Sequence, residues 1–66
     1  MTKAEYNTLW REASEGLRAK GIDYSQMMRI VNEVTGHDTA ISAFNAGTLT
    51  KQHIAEITNR GTQLGA

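Results

Sequence analysis

Apolar residues recur every three or four positions through most of the chain, the spacing that lines one face of an α-helix, and no run alternates as a half-buried strand would. Tyr6, Leu9, Trp10, Ala13 and Leu17 make the first such stripe. Thr2, with Glu5 three residues on, is a capping box, and Met1 and Tyr6 stand where a hydrophobic staple would sit. A first helix is therefore predicted from Thr2 to about Lys20, with Gly21 as its stop.

Asp23 and Gln26 form a second capping signal. The broad apolar face that follows, Tyr24, Met27, Met28, Ile30, Val31 and Val34, predicts a mostly buried helix ending before Gly36. Asp38 is expected to cap a short third helix, Thr39 to Ala46, in which Ala40, Ile41 and Phe44 share a face and Gly47 terminates. A helix this short depends on packing. Thr50 caps a fourth, with Leu49 and Ile54 spaced as a staple; it is expected to run to about Arg60 and to be closed by Gly61. Met1-Thr2-Lys3-Ala4-Glu5-Tyr6 and Leu49-Thr50-Lys51-Gln52-His53-Ile54 look alike, but the shared need to start a helix explains this as well as duplication does.

The fold class expected is all-α, a small bundle of three to four short helices. Residues 1–61 form one domain, and 62–66 form a frayed tail in which only Leu64 has a side chain suited to packing. The expected core is Leu9, Trp10, Ala13, Leu17, Met27, Ile30, Val31, Val34, Phe44, Ile54 and Ile57, with Met28 beside them.

Composition narrows the picture. A 66-residue chain holds one domain, which buries roughly 60% of its unfolded surface, so its stability margin is thin. Without cysteine there is no disulfide or thiolate metal site to reinforce it. The polar first residues lack the apolar run of a signal peptide and no stretch reaches membrane-spanning length, so the expected location is the cytoplasm, with no membrane partner. Seven basic and seven acidic residues cancel, so any nucleic-acid contact has to come from a local patch.

Little here suggests catalysis. His37 and His53 lie in or beside turns with no further ligands at metal-binding spacing. Ser14, Ser25 and Ser42 lie within helices or their first turns, with no glycine-flanked elbow. The expectation is a non-enzymatic domain with no cofactor. Tyr6 and Trp10 are of a kind that stacks on bases or fills a partner's pocket, but their stripe points to burial, and Tyr24 is the better candidate for exposure.

The charges of the first helix say more. Lys3, Asn7, Arg11, Ser14 and Arg18 fall on one narrow stripe, while Glu5, Glu12 and Glu15 lie on another. Such a run is ordinarily a solvated face; as a site, with Lys20 just beyond, it suits phosphates or an acidic peptide.

Two functional readings follow. Met27 to Gly47 fits a helix-turn-helix with its turn at Gly36-His37-Asp38, which would place Thr39, Ser42 and Asn45 at base edges, as in a small phage transcriptional regulator. Against it, the third helix has no lysine or arginine to hold phosphates, and Ile41 follows Gly36 by five residues where the pattern has six.

The other reading rests on the order of short landmarks: Met1-Thr2-Lys3, Leu9-Trp10, Gly21, Val34-Thr35-Gly36 and Leu49-Thr50-Lys51. Together they resemble the small helical domain of Mu-type phage Gem regulatory proteins and the C-terminal domains of some phage single-strand annealing proteins of the Erf and RecT kind. This chain departs from that pattern by inserting residues between Gly36 and Leu49. The resemblance implies a DNA-recombination module that recruits a protein partner, such as the acidic tail of single-stranded DNA-binding protein or an exonuclease, and that assists contact with single-stranded DNA. Matching positions for the acidic segment are Lys3, Arg11, Arg18, Lys20 and Lys51. The thin core also leaves room for a homo-oligomer.

Overall fold

The computed structural model describes residues 1–65 and contains three long helices and one short one: α1 (Lys3–Ala19), α2 (Tyr24–Thr35), α3 (Ala40–Asn45) and α4 (Lys51–Leu64). No strand occurs among the described residues, and no helix is long and apolar enough to cross a membrane.

The helix starts follow from the sequence. Four N–H groups at each helix N-terminus lack intrahelical partners, and a short polar side chain just before them satisfies one. Thr2 Oγ1 accepts from the Glu5 amide at 3.1 Å and Asp23 accepts from the Gln26 amide at 2.8 Å, each inside a complete capping box. Thr50 accepts from the His53 amide. The third helix is capped by Thr39, which accepts from the Ser42 amide at 3.0 Å, and not by Asp38. Thr39 holds the extended conformation that a cap requires, and the helix is correspondingly shorter than expected, with Ala46 already past its last turn.

The helix ends use glycine where the backbone turns left-handed. Gly21 has φ 87° and lets Ile22 fold back, so that the Gly21 amide donates to Arg18 O and the Ile22 amide to Leu17 O, both at 3.0 Å. This closure brings Ile22 against the last turn of α1, and both Ile22 and Leu17 are buried. Gly47 at φ 79° closes α3 in the same way: the Thr48 and Leu49 amides both donate to Ala43 O, and Leu49 enters the core.

Packing centres on α4, which lies against both α1 and α2, while α3 rests on α2. Leu17, Met27, Val31 and Ile57 are the largest fully buried side chains. Leu9, Trp10, Met28, Val34 and Phe44 are packed against the core but only partly buried. The second helix is amphipathic, with Ser25, Gln26, Arg29, Asn32 and Glu33 exposed, and so is less buried than its apolar residues suggested.

Gly61 overturns an expectation. It does not end the fourth helix, which continues through Gly61 to Leu64. Gly61 is buried inside α4, and a Cβ built there would lie 2.4 Å from Leu17 Cδ2. Its place is set by the close approach of α4 to α1. Residues 62–64 are therefore helical although Leu64 is exposed, while Ala66, the last residue of the expected tail, lies outside the described residues.

Candidate groove between α1 and α3

α1 and α3 meet at a ring stack: Tyr6 and Phe44 lie 4.5 Å apart, centroid to centroid, with planes inclined by 29°. Along the rest of their length they leave a groove made of two adjoining clefts. The larger, about 510 Å³, is lined by Tyr6, Asn7, Trp10 and Arg11 of α1, Tyr24 and Met28 of α2, and Thr39, Ala40 and Ile41 at the start of α3. The smaller, about 330 Å³, is lined by Lys3, Tyr6, Asn7, Ile41, Phe44 and Asn45. No acidic residue lines either cleft.

This geometry comes from α1's pattern. At 3.6 residues per turn, Lys3, Asn7, Arg11, Ser14 and Arg18 fall within about 80° of arc, next to Tyr6 and Trp10 on the apolar stripe. The stripe supplies the groove's floor and its polar edge supplies the rim. Ile41 forms the opposite wall and is 63% exposed, so it does not share the buried face of Ala40 as expected. Ala40 and Ala43 take the buried positions with Phe44 packed against the core, which leaves Ile41 on the outer side of the helix. Tyr24 is exposed at 59% at the groove's edge, while burial, and more weakly the neighbouring Tyr24, push the Tyr6 hydroxyl up from its ordinary range and keep it neutral.

The expected basic residues separate. Lys3 and Arg11 stand at the groove, one in each cleft. Lys51 lies on the other flank of α1, its Nζ 3.3 Å from Glu5 Oε2. Lys20 donates to Thr62 Oγ1 at 3.1 Å, tying the end of α1 to α4. Arg18 is exposed, seven positions or roughly 10 Å beyond Arg11 along the helix axis. Of the residues placed at base edges, Thr39 donates its hydroxyl to Ser42 Oγ at 2.8 Å within the cap, and Asn45 lines the smaller cleft. No cluster of three or more His, Cys, Asp or Glu forms among the described residues.

The Lys51–Glu5 pair links the starts of α1 and α4, and it has a pH signature. The Thr2 backbone amide, first, and then Lys51 hold the Glu5 carboxyl below its ordinary 4.5. A carboxyl lowered in the folded state favours folding when ionised, an effect complete above pH 4.5 and lost as pH falls through the lower folded-state value. In an NMR titration Glu5 is expected to show a midpoint below 4.5, and Lys51→Ala to raise it only partway, because the larger cause remains. A midpoint unmoved by Lys51→Ala would show that the pair does not form in solution.

Comparisons of the chain with protein-family models, with curated proteins and with solved structures find no match.

Proposed function

We propose that this chain is a non-catalytic binding domain whose α1–α3 groove receives an acidic segment of a protein partner. In the setting implied by the Gem- and Erf/RecT-like landmarks, the partner is a component of phage DNA recombination and single-strand annealing, such as the acidic tail of single-stranded DNA-binding protein. The observation that supports this reading is an apolar floor bounded by Lys3 and Arg11 with no acidic residue among its lining. Apolar contact supplies affinity there, and charge-assisted hydrogen bonds to carboxylates supply orientation.

The test is a titration with three labelled probes: an aspartate-rich peptide containing leucine, a single-stranded oligonucleotide and a duplex. The peptide is expected to bind, and Lys3→Glu combined with Arg11→Glu to weaken it at least about tenfold, or 1.4 kcal/mol. Arg18→Glu is expected to change affinity far less, since Arg18 lies about a Debye length from Arg11 at 0.1 M salt. Both cations are exposed at the rim, so thermal stability should not fall. Random duplex should bind only near the weak, roughly 10⁻⁴ M end of non-specific affinity, because the net charge is zero. Peptide binding that survives the double reversal would move the site elsewhere. Submicromolar, sequence-selective duplex binding would replace this reading with the helix-turn-helix.

A further inference from the structure

The groove is divided, and the division specifies its ligand. Tyr6, Asn7 and Ile41 line both clefts and so mark the junction between them, with Asn7 on the α1 side and Ile41 on the α3 side. Arg11 borders only the larger cleft and Lys3 only the smaller, so the two cations stand at opposite ends. They are eight positions apart on α1, about 12 Å along its axis. Asn7, on the rim midway between them, is exposed, and its side-chain amide makes no hydrogen bond among the described residues.

Resting on the binding function proposed above, we infer that the groove reads an extended segment of the pattern acid, apolar, any residue, apolar, acid. An amide with both a donor and an acceptor, placed mid-groove, matches a chain whose own N–H and C=O groups are free. A helical ligand has already satisfied those groups internally, so the Asn7 amide favours an extended one. In an extended chain, side chains two residues apart point the same way and lie about 6.5 Å apart, which lets them enter the two clefts on either side of Ile41. Four residue steps span about 13 Å, matching the separation of Lys3 and Arg11; the flanking carboxylates point away from the floor, on the solvent side, where the long exposed side chains of the two rim cations reach one each. The middle residue crosses the junction between the clefts and offers its main chain to Asn7.

Two labelled peptides of identical composition test this, one containing Asp-Leu-Ser-Leu-Asp and one containing Leu-Asp-Ser-Asp-Leu, each against the full chain. The first is expected to bind at least about tenfold more tightly, which at 1.4 kcal/mol per decade is one well-placed charged contact. Asn7→Ala should weaken the first by about threefold or more, in keeping with a single hydrogen bond, and leave the second unchanged. Ile41→Ala should narrow the gap between the two peptides, and since Ile41 is largely exposed this variant should melt as the parent does. Equal binding of both peptides, weakened alike by Lys3→Glu and Arg11→Glu, would overturn the pattern and leave the acidic-segment function standing. No binding of either would overturn both.

Discussion

Val31→Asp is expected to abolish cooperative thermal unfolding, leaving a chain whose helical circular dichroism is largely lost at room temperature. Val31 has no exposed surface and lies on α2 among the fully buried side chains Leu17, Met27 and Ile57. No polar or charged side chain is buried with them, so a carboxylate there would find neither a cation nor a donor. An uncompensated buried charge costs several kcal/mol, even after the group protonates to reduce the penalty. At about 0.05–0.15 kcal/mol per residue, the whole stability of a chain this size is roughly 3–10 kcal/mol. Two controls isolate the cause. Asn32→Asp, one position along and exposed, should change stability by no more than about 0.5 kcal/mol. Val31→Ala removes two methyl groups and should cost about 2 kcal/mol while preserving a cooperative melt. A Val31→Asp protein that melts at the parent's temperature would remove α2 from the core.

Helix starts were legible in the sequence because capping is local: Thr2 with Glu5, Asp23 with Gln26 and Thr50 with His53 each satisfy an amide three residues away. The misplaced third cap shows the limit of that locality. Asp38 and Thr39 are adjacent residues of the same capping class, and only the backbone path chooses between them. Ile22 and Leu49 fell outside the expected core because they follow helix stops, where periodicity gives no signal. What buries them is the fold-back of the chain after Gly21 and Gly47.

The groove was half legible. Helical periodicity placed Lys3, Asn7 and Arg11 on one stripe without reference to anything else in the chain. It could not separate them from Lys51 and Lys20, whose partners, Glu5 and Thr62, are more than forty positions away. Nor could it place Ile41 on the opposite wall. The apolar pattern of a six-residue helix is satisfied equally by turning Ile41 inward or by burying Ala40 and Ala43 and leaving Ile41 as a rim.

Gly61 joins these two lessons, and it carries the second large effect. Gly61→Val is expected to destabilise the chain by about 1–3 kcal/mol, the range for overpacking a filled core, despite the better helix propensity of valine. The first added carbon would stand 2.4 Å from Leu17 Cδ2, 2.9 Å from Cδ1 and 3.1 Å from Cγ, so the whole end of that side chain would have to move. Leu17 cannot swing into solvent, because it is almost wholly buried and packs where α1, α4 and Ile22 converge. A close-packed interior transmits such a shift instead of absorbing it. The control for helix propensity is Gly16→Ala. Gly16 lies in the last turn of α1 with nothing within 4 Å of an added Cβ, so alanine there should stabilise by up to about 0.5–1 kcal/mol through propensity alone. If Gly61 ended its helix in the left-handed conformation, as Gly21 does, asparagine would be tolerated there, whereas against Leu17 Gly61→Asn should destabilise as well. With α4 running on to Leu64 and pressed against α1, the alanine and valine substitutions should move the melting temperature in opposite directions, Gly16→Ala upward and Gly61→Val downward by the larger amount.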